Sequence, residues 1–296
     1  MAVGEIDLPK LIERFGSEDK CIAYLAELRW PNGVECPRCD SKKISRLHER
    51  KQYECSDCRY QFSVRVGSVL QDSKLPLWKW FLAVYVMGES RKGVSANQLS
   101  RMLGVSYKTA WFLCHRIRSA MHDDNPQPLR GVVEADETYL GGKGTGMGNH
   151  TMVLGAIERG GRLRVQAMPD RKHKTIRAFV DDAIHPDAEA IYTDWHPAYK
   201  GIGDHNTKHG AVNHGTGEYV RGDIHTNTVE SAWSLFDRAV IGAYHKLSVK
   251  HLPAYLDEFQ FRFNNRNNPY LFRDTIVALI EGDALTFDKL TKPQPH

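Results

Sequence analysis

Apolar residues recur at helical spacing in FGSEDKCIAYLAELRW, where Cys21, Tyr24, Leu25 and Leu28 share a face before Pro31 and Gly33 interrupt it. Residues 1–30 are therefore predicted to form a helical lead-in. From Glu35 to about Val66 the chain becomes polar and turn-rich. Helical periodicity resumes at LPLWKWFLAVYVMG and lasts to about His122, after which HDDNPQP is the clearest linker.

Beyond the linker the period changes. GVVEADETYL reads as a strand, GGKGTGMGN as a glycine-rich loop, TMVLGAIER and RLRVQAMP as two more strands, and KTIRAFVDDAI as a helix. AEAIYTDW is a short apolar strand and KHGAVNH a further candidate, followed by helices in NTVESAWSLFDRAVIGAYH and VKHLPAYLDEFQFRFNN. TKPQPH is expected to be loosely ordered, and no internal repeat is visible. The pattern implies an α+β, multidomain chain divided at 1–30, 31–66, 67–123 and 129–282, with a tail at 283–296.

Composition narrows the class. With 296 residues, 41% hydrophobic and 26% charged, the chain is in the range of water-soluble globular proteins, and a formal net charge of +4 permits a polyanionic partner without demanding one. The N-terminus lacks the basic and apolar regions of a secretory signal. The most apolar run, LWKWFLAVYVMG, contains Lys79 and falls short of the roughly 20 residues a spanning helix needs. A cytoplasmic protein with no membrane partner is expected.

Four of the six cysteines form CPRC and CSDC, so Cys36 and Cys39 are separated from Cys55 and Cys58 by 15 residues, positions 40 to 54. Two tight CxxC turns joined by a hairpin can aim four thiolates at one tetrahedral zinc, which supplies the stability so small a segment lacks. A closed four-sulfur shell leaves no position for substrate, so this zinc is expected to be structural. Cys21 and Cys114 lie in apolar helical surroundings and read as packing residues.

In SANQLSRMLGVSYKTAWFLCHRIRSAM, Ala96, Leu99, Met102 and Leu103 line one helical face, Gly104 supplies a turn, and Ser106 can cap a second helix with Ala110, Leu113 and Ile117 inward. The pattern fits a helix-turn-helix, in which Tyr107, Lys108 and Thr109 would reach base edges and Arg116 and Arg118 phosphates. The bland reading is a helical hairpin with solvated arginines.

Three acids carry the candidate chemistry. Asp136 lies in a strand, Asp194 ends another, and Glu230 sits in a helix 35 residues later, positions 195 to 229 intervening. Brought to one sheet edge, such carboxylates would bind magnesium or manganese, the hard cations used for in-line phosphoryl displacement. Individually, Asp and Glu are usually surface or capping groups. On its helix Glu230 shares a polar stripe with Asn227, Ser234 and Asp237, opposite Val229, Trp233, Phe236 and Val240. Strand alternation puts Glu134 on the face of Asp136, where it can support the site, and Glu137 on the other, where it reads as structural.

YLAELRWPNGVECPRC, QFSVRVGSVLQDSKLPLWKWF, ADETYLGGK, YTDWHPAYKG, HTNTVESAWSLFDR and HLPAYLDEFQFRFNNR occur in an order that resembles a known family over nearly the whole chain. That family is the bacterial insertion-sequence transposases of the DDE type with an N-terminal zinc ribbon. The resemblance implies a zinc ribbon at 31–66 and a ribonuclease-H-like mixed-sheet catalytic domain at 129–282, on either side of the helix-turn-helix region read at 67–123. It carries the catalytic roles to Asp136, Asp194 and Glu230, with magnesium or manganese as cofactor. It further implies binding of double-stranded DNA at transposon ends, cleavage and transfer into target DNA, and a homo-oligomer that pairs two ends. One departure stands out: relatives often carry a lysine seven positions after the third acid, where this chain has Asp237 followed by Arg238. The competing class is a DNA-binding protein derived from a transposase that has lost catalytic activity.

Two features stay outside that scheme. Lys143 lies in a glycine-rich loop whose spacing is not that of a phosphate loop. His205, His209, His214 and His225 are dense but irregular, and read as loop or DNA-facing groups, with His225 the best placed near the site.

Overall fold

The computed structural model describes residues 6–141, 151–195, 197–202 and 207–292. Two compact units are formed, Met1–Met121 with Asn268–His296, and His122–Asn267.

The first unit opens with α1 (Leu8–Phe15) and α2 (Glu18–Arg29). Asp7 accepts from the Lys10 N–H and Ser17 from the Lys20 N–H, each satisfying an otherwise orphaned donor of a first turn. Helix α2 stops at Trp30, whose helical conformation Pro31 disfavours. A small antiparallel sheet follows, β1 (Ile44–Leu47), β2 (Gln52–Cys55) and β3 (Gln61–Phe62), in that spatial order. Its core holds only Cys36, Tyr53, Cys55 and Phe62, with Trp30 packed against them. Three helices come next, α3 (Leu77–Glu89), α4 (Ala96–Leu103) and α5 (Tyr107–Ala120).

The second unit is built on β4 (Val132–Leu140), β5 (Thr151–Glu158), β6 (Leu163–Ala167), β7 (Ala190–Asp194) and β8 (Lys208–Val212), in the order β6-β5-β4-β7-β8. The β4–β5 and β5–β6 pairs are antiparallel, whereas β4–β7 and β7–β8 are parallel. Three consecutive strands followed by two parallel additions on the far side of the first make the ribonuclease-H-like arrangement. Helix α6 (His173–Ala183) supplies the crossover and buries Ile176, Phe179 and Val180 with Val133, Ala135, Leu154 and Ala156. The opposite face is covered by α7 (Asn227–Ala239) and α8 (Leu252–Asn264), where Val229, Trp233, Phe236, Leu256 and Phe259 pack with Val153 and Ile157. Both faces of β5 are thus dry, which explains its uninterrupted apolar run MVLGAI.

The chain ends with α9 (Leu271–Glu281) and α10 (Phe287–Thr291). Sequence reading extended the sheet domain to 282 and left 283–296 as a tail, but the contacts group Asn268–His296 with the first unit. The cause is aromatic. Phe272 lies 5.6 Å from Phe15 and 5.7 Å from Phe81, which themselves meet at 5.0 Å, and Phe287 meets Phe112 at 5.5 Å. Burying each such ring contributes about 1.5–3 kcal/mol.

Candidate functional site

Each cysteine pair makes the same turn. The Cys36 N–H donates to the Ser41 carbonyl and the Asp40 N–H to the Cys36 carbonyl, both at 2.9 Å; Cys55 repeats this with Tyr60 and Arg59 at 3.0 and 2.9 Å. Asp40 and Arg59 adopt left-handed φ of 55° and 59° to do so. The result aims the sulfurs inward: Cys36 to Cys58 and Cys39 to Cys55 are each 3.6 Å, and all four Sγ lie within 4.8 Å of one another. A tetrahedron with zinc–sulfur bonds of about 2.3 Å separates its sulfurs by about 3.8 Å, so the four cysteines fit a structural zinc. N–H groups of Cys58 and Asp57 hold the Cys55 thiol down, to about 6, whereas Cys39, despite the Ser41 N–H, is pushed up to about 12 by hydrogen bonds from the other sulfurs. Cys21 and Cys114, by contrast, are fully buried packing residues, and burial pushes the Cys21 thiol up to about 12.

The α4–α5 pair has the caps that the sequence suggests. Gly104 sits at φ 59° in the turn, and Ser106 accepts from the Thr109 N–H. Leu99, Leu103, Ala110, Leu113 and Ile117 are buried. Tyr107, Lys108 and Thr109 are exposed at the start of α5, with the Lys108 ammonium 4.6 Å from the Phe287 ring centroid. Arg116 and Arg118 require a correction. They were expected to reach phosphates, yet they are 4% and 2% exposed. The Arg116 guanidinium donates to the carbonyls of Val69 and Gln71 and lies over Trp80. Helical spacing showed two arginines about two turns past the recognition residues, but not that the carbonyls of Val69 and Gln71 meet Arg116 or that both side chains are buried.

In the second unit the parallel β4–β7 register pairs Val132 with Ala190 and continues to Ala135 with Thr193. The next step sets Asp136 beside Asp194. Glu137 joins them, and one carboxylate oxygen from each of the three lies within 4.8 Å of the others. Strand alternation had put Glu137 on the opposite face from Asp136. That logic fails here because β7 ends at Asp194 while β4 continues to Leu140, so Glu137 is paired by β5 on one side but has no strand partner on the β7 side. The buried Tyr199 hydroxyl donates to Glu137 Oε2 at 2.6 Å, turning the carboxylate toward this end of the sheet. Burial, followed by the charges of Glu137, Asp194 and Glu230, pushes Asp136 up to about 7.

Glu230 approaches from α7. It lies outside the 4.8 Å cluster, but its charge acts on Asp136. The Thr226 hydroxyl donates to its Oε1 at 2.8 Å, and His214 Nε2 stands 3.7 Å from the same oxygen. His214, rather than His225, is therefore the histidine next to this acid. His225 lies against Glu134, and His209 Nε2 is 3.0 Å from the Thr193 hydroxyl. Lys143 and His205 fall outside the described residues. Asp237 and Arg238 are exposed on α7, where Arg238 donates to the Ser234 hydroxyl at 2.9 Å.

Close approach of α7 depends on Gly155, which pairs with Asp136 across the β4–β5 ladder. A Cβ at this position would lie 2.5 Å from Trp233 Cζ2, one helical turn after Glu230. Gly155→Ala is expected to lift α7 from the sheet, lowering stability by about 1–3 kcal/mol in urea unfolding. An unchanged unfolding midpoint would show that Trp233 yields without moving the helix.

Hard oxygen ligands with this spacing fit a divalent cation such as magnesium, whose metal–oxygen distances are about 2.0–2.1 Å, and Asp136 is a carboxylate whose ionisation a cation would favour. Two family models match in the corresponding regions: a transposase zinc-ribbon domain over residues 16–61 and an ISXO2-like transposase domain over 128–264. An uncharacterised protein of the transposable element ISH50 from Halobacterium salinarum is 34% identical over 278 residues, covering 85% of this chain and 92% of its own. The chain belongs to the ISXO2-like DDE transposases. This membership unites ribbon and sheet in one architecture, and the archaeal relative leaves the bacterial part of the resemblance untested. Among solved structures, a simian T-cell lymphotropic virus intasome in complex with PP2A regulatory subunit B56 gamma aligns with 12% identity and a TM-score of 0.30. The alignment covers 59% of this chain and 66% of that one, just under two thirds of its length, and no conclusion rests on it. Among the described residues no helix is long and apolar enough to cross a membrane.

Proposed function

We propose that this ISXO2-like transposase binds the ends of its element and catalyses metal-dependent DNA strand cleavage and strand transfer. The observation that carries the reading is the meeting of Asp136, Glu137 and Asp194 carboxylate oxygens within 4.8 Å at the end of β7, with the charge of Glu230 reaching Asp136 from α7. Asp136, Asp194 and Glu230 would hold magnesium or manganese, with Glu137 completing the negative pocket. When bound, such ions supply an activated water or 3′-hydroxyl and neutralise charge on the phosphorus and leaving oxygen. The protein's own part is to hold the carboxylates in a half-buried, preorganised cluster, where Thr226 orients Glu230 and Tyr199 orients Glu137.

Double-stranded DNA at the transposon ends is assigned to the first unit, with the exposed Tyr107, Lys108 and Thr109 at the start of α5 as base-reading residues and the ribbon as a second contact. Pairing two ends calls for a homo-oligomer on DNA. The second reading, a DNA-binding descendant without catalysis, draws on Asp237 in place of the lysine common in relatives.

The test incubates purified protein with DNA carrying the element's ends and Mg²⁺ or Mn²⁺. Metal-dependent nicking and joining are expected, with Lys108→Ala and Tyr107→Ala each weakening end binding about fivefold to a hundredfold relative to unrelated DNA. Specific binding without any nicking would favour the non-catalytic reading; binding unaffected by both substitutions would move recognition away from α5.

A further inference from the structure

The most completely buried acid of the second unit's sheet is not one of the cluster. Glu134 lies two residues before Asp136 on the same face of β4, with no exposed surface. Its Oε2 accepts from the N–H groups of Thr228 and Val229 at 2.7 and 3.1 Å, and its Oε1 from the Thr228 hydroxyl at 2.9 Å. Those amides belong to the first turn of α7, for which Thr226 provides no side-chain cap. A carboxylate from a different element therefore satisfies this helix end, where the helix dipole favours negative charge.

The charge is balanced on its other side. Arg159 Nε donates to Glu134 Oε1 at 2.7 Å, and Arg159 Nη2 donates to the carbonyls of Asp223 and His225 at 2.9 and 3.2 Å. The guanidinium rests 4.9 Å from the Tyr192 ring centroid, on the strand that ends in Asp194. One ion pair between a buried carboxylate and a half-buried guanidinium thus touches the Asp136 strand, the Asp194 strand and both the approach and the first turn of the Glu230 helix.

We infer that Glu134 and Arg159 are positioning residues that dock the start of α7 on β4 and β7 and thereby set Glu230 against Asp136 and Asp194. This inference rests on the reading of those three acids as metal ligands. Glu134 touches no reacting atom in this scheme, because both of its oxygens are occupied by α7 and Arg159. It acts through Glu230, one turn further along the helix whose first amides it holds.

The test uses the full-length, zinc-loaded chain with Mn²⁺ alone as probe, comparing Glu134→Gln in the wild-type and Glu230→Ala backgrounds. Amide hydrogen exchange is followed in parallel across residues 226–239. Loss of such a supporting contact is expected to weaken Mn²⁺ binding about tenfold or more in the wild-type background and to raise exchange at the start of α7. In the Glu230→Ala background the further loss in affinity should vanish, which a merely destabilising substitution would not do. Equal losses in both backgrounds, or unchanged affinity in a folded Glu134→Gln chain, would overturn the proposal. Since Glu134→Gln leaves the half-buried Arg159 without its counter-charge, Thr228→Val is the milder companion, expected to give the same pattern at about threefold. It decides the matter if Glu134→Gln does not fold. Absence of Mn²⁺ binding by the wild-type chain would instead refute the catalytic reading, and the exchange measurement would still judge the anchor: unaltered exchange in α7 would refute it.

Discussion

Asp136→Asn is expected to lower metal-dependent strand cleavage by about a thousandfold or more while leaving end binding intact, since in the proposed site several kcal/mol of transition-state stabilisation would pass through the metal it would help to hold. The substitution preserves shape and removes one charge. Asp194→Asn should behave alike, because its carboxylate lies within 4.8 Å of that of Asp136. A single-turnover assay on end-bearing DNA measures this, and cleavage by Asp136→Asn within tenfold of wild type would remove Asp136 from the site. The same substitution has a pH signature. Burial and the neighbouring acids hold the folded Asp136 at about 7 against an ordinary 3.8, so the folded chain binds this proton more tightly than the unfolded chain. Its contribution to stability is fully present below about 4 and is lost as pH rises through about 7. Without Mg²⁺ the wild-type melting temperature should fall across that window. Mg²⁺ should restore it above pH 7, and Asp136→Asn should flatten the profile. A wild-type profile already flat from pH 4 to 7 would contradict the crowding of acids around Asp136.

Cys36→Ser and Cys55→Ser should each abolish stoichiometric zinc and unfold the ribbon, because apparent zinc-binding energies of about 10–16 kcal/mol in such small domains far exceed what a core this size supplies. Among the described residues its buried apolar side chains are Cys36, Tyr53, Cys55 and Phe62, and two of the four are candidate zinc ligands. End binding should fall at least about tenfold, whereas the second unit, which carries the acidic cluster, should keep its Mn²⁺ affinity. Metal analysis beside a mobility-shift titration checks both halves. One zinc per chain retained in both variants would remove the four-cysteine assignment.

The sequence by itself determined what depends on neighbours along the chain. Two CxxC turns, the Gly104 turn with its Ser106 cap, the strand holding Asp136, the strand ending at Asp194 and the helix holding Glu230 are all written in local spacing, and each has its counterpart in the structure. The resemblance to transposases added which three acids belong together. Only the tertiary structure decided what those elements meet. Glu137 joins the cluster because β7 stops at Asp194 while β4 does not, an offset in strand length that alternation within one strand does not encode. Arg116 and Arg118 are buried, and Arg116 is held by carbonyls 45 and 47 residues away in sequence. Phe272 and Phe287 draw the C-terminal helices to the first unit through rings contributed by α1, α3 and α5. Glu134 shows the division most sharply: spacing places it on the face of Asp136, but its amide partners lie 94 and 95 residues away. Local propensity selects elements within a few residues, whereas register, helix docking and the pairing of buried charge are settled only when distant segments exclude water together.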